Sequence, residues 1–180
     1  MPLIWSEAFL VTLVSHRPML IREQQEQLLP ALMIPSVANN HPNESVIHRL
    51  RALFEEKVDI SRTIVHSTSW RYEPQNDWLL LTYIVVLPQG PWLDQWIASK
   101  RIVLEPIEGA TLQGNQLFPP AQIGWSAALA HALDHLAALN TYDTAIQAVL
   151  EPAWHNILRQ RTQKPAGCLQ RDMAALVPNC

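Results

Sequence analysis

Trp78 to Leu87 reads WLLLTYIVVL and is apolar on both of its alternations. Successive side chains of a strand point to opposite faces. Trp78, Leu80, Ile84 and Val86 therefore line one face, and Leu79, Leu81, Val85 and Leu87 the other. A strand of this kind is stable only in the middle of a sheet with both faces covered, which demands helices on the two sides. Ahead of it, Ser61 to Tyr72 (SRTIVHSTSWRY) is dense in β-branched and aromatic residues, and Glu73-Pro74-Gln75-Asn76-Asp77 carries turn chemistry. The two runs predict a hairpin over 61–87, and Arg101 to Leu104 (RIVL) predicts a third strand.

The covering elements follow from periodicity. Asn43 can cap a helix over 43–57 in which Val46, Ile47, Leu50, Leu53 and Phe54 form one stripe. His48, Arg49, Arg51, Glu55 and Glu56 take the other side. Pro91 to Ser99 suits a short helix with proline in its first turn. Pro119-Pro120 opens a long Ala-rich helix through Leu139, and Thr141–Leu150 and Pro152–Arg161 are two further helical segments divided at Pro152. Trp5 to Ser15 is expected to be a short helix with Phe9, Leu10, Leu13 and Val14 on one side, although β-branched Val11 and Thr12 also allow a strand. Arg22 to Leu29 is polar and helix-prone, followed by a loop to about Asn43. The expected fold is α+β, with a small, largely antiparallel sheet built on the 61–87 hairpin. One domain is expected over 1–162, with a loose tail over 163–180. Trp70, Leu80, Ile84, Val86, Leu50, Phe54, Leu129, Leu133 and Leu136 are the expected core.

Composition sets limits on function. Among 180 residues, 48% are hydrophobic and 16% charged, which indicates a folded chain. The net charge of -3, with no basic run among 13 Lys and Arg, offers no footprint for nucleic acid, so none is expected as a partner. No apolar stretch is long enough for a membrane span, and no membrane partner is expected. The two cysteines, Cys168 and Cys180, do not make a disulfide scaffold, so a bacterial-type cytoplasmic location is the default. Seven Trp suggest a ring-rich core or contact surface, and a protein partner or a homodimer is the expected association.

Three constellations could carry chemistry. His131 and His135 stand four apart on the long helix, a spacing that lets both reach one metal ion. The run His131-Ala132-Leu133-Asp134-His135 resembles the His-x-x-Glu-His motif of inverted-type metallopeptidases over five residues, with Asp134 in place of the catalytic Glu. The resemblance implies a zinc site, with Glu151 or His155 as a third ligand. Helical geometry sets the two histidines opposite the Trp125, Leu129, Leu133 and Leu136 ridge, which implies a surface or a close helix–helix or subunit contact.

Arg51-Ala52-Leu53-Phe54-Glu55-Glu56 resembles the Nudix hydrolase box, in which an Arg precedes a Glu pair on a helix and the carboxylates hold Mg²⁺ against a diphosphate. Ala52 stands where the box has Glu, Val58 where it has Gly, and Glu44 is at the wrong offset for the upstream acid. The resemblance implies a nucleotide diphosphate hydrolase or a catalytically dead relative. Without it, Arg51 and Glu55 are simply an i,i+4 pair on an exposed face.

The third constellation is the polar strand His66-Ser67-Thr68-Ser69-Trp70-Arg71-Tyr72 beside an apolar neighbour. Alternation puts His66, Thr68, Trp70 and Tyr72 on one face and Ser67, Ser69 and Arg71 on the other. His66, Ser67, Ser69, Trp70, Arg71 and Tyr83 are the candidate ligand-binding residues, with Arg71 as a charge partner and a ring as a stacking wall. An edge strand facing water would have the same composition. No nucleophile elbow or phosphate-cradling Gly-rich loop is present, and the sequence names no cofactor. The expectation is a non-enzymatic binding or accessory protein that recognises a protein partner or small ligand through the polar strand. The alternatives are a degenerate Nudix-like hydrolase and a His-based metal enzyme.

Overall fold

The computed structural model describes residues 3–24, 31–36, 41–55, 57–73, 76–107, 123–163 and 165–168. Its strands are β1 (Leu3–Val14), β2 (Arg17–Glu23), β3 (Leu32–Pro35), β4 (Ile64–Glu73), β5 (Trp78–Val86), β6 (Ile102–Pro106) and β7 (Gly167–Cys168). Its helices are α1 (Pro42–Phe54), α2 (Pro91–Ala98), α3 (Ile123–Tyr142), α4 (Thr144–Val149) and α5 (Pro152–Leu158). The strands form one mixed sheet in the order β6-β2-β1-β5-β4-β7, with β3 also paired to β1. Most pairings are antiparallel, and the fold class is the expected α+β. The central join of β1 with β5 is parallel, from Leu3 opposite Trp78 to Val11 opposite Val86. Strand β6 lies at the far edge beside β2, away from the β4–β5 hairpin.

β5 is an interior strand, as its double alternation requires. β1 corrects the expectation of an N-terminal helix. Ser6 through Leu13 are buried without a break, and a strand covered on both faces has no period by which to distinguish it from a helix. Ser15 and His16 both have positive φ, 50° and 63°, making the tight turn that returns the chain into β2. β2 takes in Arg22 and Glu23, which had been placed in a helix, and β3 occupies part of the expected loop.

Two apolar layers enclose the sheet. Ala8, Leu10, Tyr83, Val85 and Leu87 meet Val46, Leu50 and Phe54 of α1 and Trp92, Leu93 and Trp96 of α2. Phe9, Val11, Leu13, Ile84 and Val86 meet α3, Leu150, and Trp154 and Leu158 of α5. His41, rather than Asn43, caps α1, its ring nitrogen accepting from the Asn43 backbone N–H with Pro42 in the first turn. The helix stops at Phe54 because Glu55 turns left-handed (φ 49°, ψ 40°), so it is shorter than the expected 43–57. Of the expected core residues only Trp70 is exposed, at 43%. No helix among the described residues is long and apolar enough to cross a membrane.

Candidate functional site

The polar strand β4 contains a bulge. His66 lies opposite Ile84 and Ser67 opposite Tyr83, and the next pair is Ser69 with Thr82, so Thr68 is an extra residue. One inserted residue reverses every later side chain relative to strict alternation. His66 therefore shares the α3 face with Ser69 and Arg71, and Ser67 shares the α1 face with Trp70 and Tyr72. The six candidate residues do not converge: His66, Ser69 and Arg71 lie on one side of the sheet, and Ser67, Trp70 and Tyr83 on the other. The Thr68 hydroxyl donates to the Thr82 carbonyl at 3.3 Å, fixing the bulge from within.

On the α3 face the bulge delivers Arg71 into the interior. Its guanidinium makes a fork with Glu7 of β1, Nη1 to Oε1 and Nη2 to Oε2, the latter at 2.5 Å. The Thr82 hydroxyl of the intervening strand donates to Glu7 Oε1 at 2.5 Å. Glu7 and Thr82 are wholly buried and Arg71 nearly so. Sequence patterning gave no sign of this three-strand polar tie. The available signal was chemical: a carboxylate in a buried strand requires a basic partner at matching register. Arg71 is thereby committed to the protein itself. Beside it the Ser69 hydroxyl is buried with no hydrogen-bond partner.

His131 and His135 are not on the surface. They are 5% and 3% exposed, because α3 is buried nearly all round and its opposite flank faces β4. The His135 ring stacks on that of His66, centroids 5.2 Å apart and planes inclined 26°. Burial pushes the His66 imidazole below its usual pKa and the neighbouring His135 pushes the same way, against a smaller opposing pull from Asp143. The two suggested third metal ligands are engaged elsewhere. His155 Nδ1 is 2.6 Å from Asn140 Oδ1, and Glu151 accepts from the Gln89 backbone N–H at 2.9 Å. Among the described residues no group of three or more His, Cys, Asp or Glu side chains is arranged to hold a metal ion.

The segment resembling a Nudix box also departs from expectation. Since α1 ends before Glu55, that side chain leaves the helical stripe of Arg51. It pairs instead with Arg101 at 2.6 Å and with Lys57 at 3.6 Å. The Arg101 guanidinium holds the Glu55 carboxyl below the ordinary carboxylate range. Glu56 lies outside the described residues.

On the α1 face Trp70 and Tyr72 stand two residues apart on β4, 43% and 39% exposed. The Tyr72 hydroxyl donates to Asp77 Oδ1 at 2.8 Å, which fixes its ring. Tyr83, a candidate together with Trp70, is buried on the same face, and its burial raises the phenol's pKa against a hydrogen bond to Ser67.

No protein-family model and no curated protein matches the chain. Solved structures do. Shewanella oneidensis NrtR superposes with a TM-score of 0.51 at 11% identity, covering 97% of this chain and 85% of that one. NrtR complexed with a 27mer DNA superposes with a TM-score of 0.53 at 11% identity, covering 89% and 78%. The chain shares its fold with NrtR. At this identity the likeness establishes architecture alone. It nevertheless overturns the exclusion of nucleic acid drawn from net charge, because a protein of this fold has been solved on DNA. A whole-chain sum of -3 says nothing about local arrangement. His48, Arg49 and Arg51 lie within one turn of α1, and Lys57 and Arg101 both reach Glu55 just beyond its end.

Proposed function

We propose that this chain is a ligand-responsive regulator built on the Nudix fold, acting through nucleic acid rather than by hydrolysing a nucleotide. The observation that carries the reading is the fate of the box carboxylate. Glu55 lies beyond the helix end in a left-handed conformation, and its charge is taken up by Arg101 and Lys57. Magnesium needs converging oxygen ligands in near-octahedral geometry, and a carboxylate bound to two cations off the helical stripe is poorly placed to provide one. The likeness in fold to NrtR, solved with DNA, supports the regulatory half of the reading.

The ligand in this reading is a planar ring system held on the α1 face by Trp70 and Tyr72. Side chains two apart along a strand are separated by about 6.5–7 Å, twice the thickness of a stacked ring, so one aromatic ring fits between two. The regulator reading is tested by selection from random-sequence duplexes, followed by fluorescence anisotropy of the selected duplex. Enrichment, with an affinity that falls steeply as salt rises, is the expected result. Failure to retain any duplex at low salt removes the reading. For the ligand, calorimetry with a panel of nucleosides should show binding that Trp70→Ala abolishes.

A further inference from the structure

On the side of the sheet away from Trp70, the ends of α3, α4 and α5 enclose an open groove of about 530 Å³, lined by Asn140, Thr141, Gln147, His155 and Arg159. That volume lies within the range of small-molecule sites. All five lining residues are polar, in a chain that otherwise packs α3–α5 with Leu, Ala and Trp.

The groove is organised rather than merely wet. Asn140 is held twice, its Oδ1 by His155 Nδ1 at 2.6 Å and its backbone carbonyl by Gln147 Nε2 at 2.9 Å. With Oδ1 committed to the imidazole, the Asn140 amide nitrogen is left as a donor. Near the C-terminal end of α3 three carbonyls have donors besides or beyond those within the helix. Thr141 Oγ1 caps the Ala137 carbonyl, Gln147 the Asn140 carbonyl, and the Asp143 N–H the Leu139 carbonyl. The Asp143 carboxylate, just past the end of α3, is turned to the first N–H groups of α4, Ala145 and Ile146.

Arg159 supplies the positive charge. Arg161, two residues on, is closed by Asp134 and the Ala130 carbonyl, and Arg22, Arg49, Arg71 and Arg101 each hold a carboxylate. Arg159 has no ion-pair partner among the described residues. It keeps right-handed helical geometry (φ -61°, ψ -24°), which places it on the same face as His155, one turn earlier.

We infer that this groove is a binding site for a phosphate group carried by a small molecule. Arg159 grips the oxyanion with its fork, the Asn140 amide donates to it, and His155 holds that amide in place. Thr141 and Gln147 read the remainder of the ligand. Arg159 serves because a guanidinium presents paired donors that match phosphate oxygens.

The test uses the whole chain with inorganic phosphate, AMP and adenosine as probes, in sodium chloride matched for ionic strength. Phosphate and AMP should raise the melting temperature and adenosine should not. Arg159→Ala should weaken phosphate binding roughly tenfold or more, as expected for a charge-assisted bond, while Arg159→Lys retains part of it. Arg17→Ala, which removes an exposed arginine from the start of β2, should leave binding unchanged. If phosphate gives no shift beyond that of matched chloride, or if Arg17→Ala weakens it as much as Arg159→Ala, the site does not exist. If adenosine binds as well as AMP, the phosphate assignment is wrong.

Discussion

On the α1–α2 face Phe54 lies edge-on to Trp92 at 5.1 Å and tilted against Trp96 at 4.9 Å, and Arg101 closes the cluster over the Trp96 ring. On the α3 face an equal depth of burial holds Glu7, Arg71, Thr82, Ser69, His131 and His135 beside Leu and Ala, with half-buried His66 stacked on His135. The first face is stabilised by area and ring contact, which any apolar residue of suitable shape partly replaces. The second depends on complementary polar groups meeting in one register, where a missing partner leaves a desolvated charge behind. Helix chemistry follows the same division. α1 has one apolar stripe and one solvated side, whereas α3 is buried around most of its circumference and carries its histidines inward.

Breaking the Glu7–Arg71 fork should have the largest effect. Arg71→Leu or Glu7→Leu alone should cost about 3–5 kcal/mol, whereas the double replacement should recover most of that. Equilibrium urea unfolding of the three variants gives the comparison, and a double variant as unstable as either single one would show that the tie is not what costs. On the other face Leu50→Ala should cost about 3 kcal/mol through a cavity, with no partner substitution able to restore it. Next, Asp143→Ala removes the cap of α4 and should lower stability by about 1 kcal/mol.

A smaller effect is expected from pH. The folded pKa of His66 lies below the unfolded value of 6.5, so between the two the unfolded chain binds more protons. Stability should fall as the pH drops through 6.5 and level off below the folded pKa, and His66→Leu should flatten that limb in melts across the range. Smallest of all, Glu55→Gln should leave the melting temperature unchanged, since its ion pairs are exposed and screened.

The hairpin, α1, α2 and the three C-terminal helices were legible because each carries a local signal: double alternation, one apolar stripe, or proline at a first turn. β1 was not, because Phe9, Leu10, Leu13 and Val14 fit a helix face as well as a continuously buried strand. The bulge at Thr68 was also hidden, having no glycine to mark it, and it changed the most. Shifting one residue exchanged the faces of Ser69, Trp70, Arg71 and Tyr72 and sent Arg71 inward to Glu7. His131 and His135 were misplaced for a related reason. Projection onto a helical wheel finds the most apolar side, but α3 meets β4 through polar groups that the β4 histidine and its neighbours accommodate. The groove of Asn140, Gln147, His155 and Arg159 had no sequence signature, since it draws on three helices.

β7 has a consequence for how the molecule survives among its own copies. Gly167 and Cys168 lie alongside Ser69 and Trp70, on the edge of β4 that β5 leaves open. That edge borders the bulge and an exposed indole, a combination that invites a second chain to add a strand. Two residues of its own chain occupy it first. Their removal would leave the core in place, yet the protein would gain a sticky margin. Its shelf life in concentrated solution would then be set by those two residues rather than by its melting temperature.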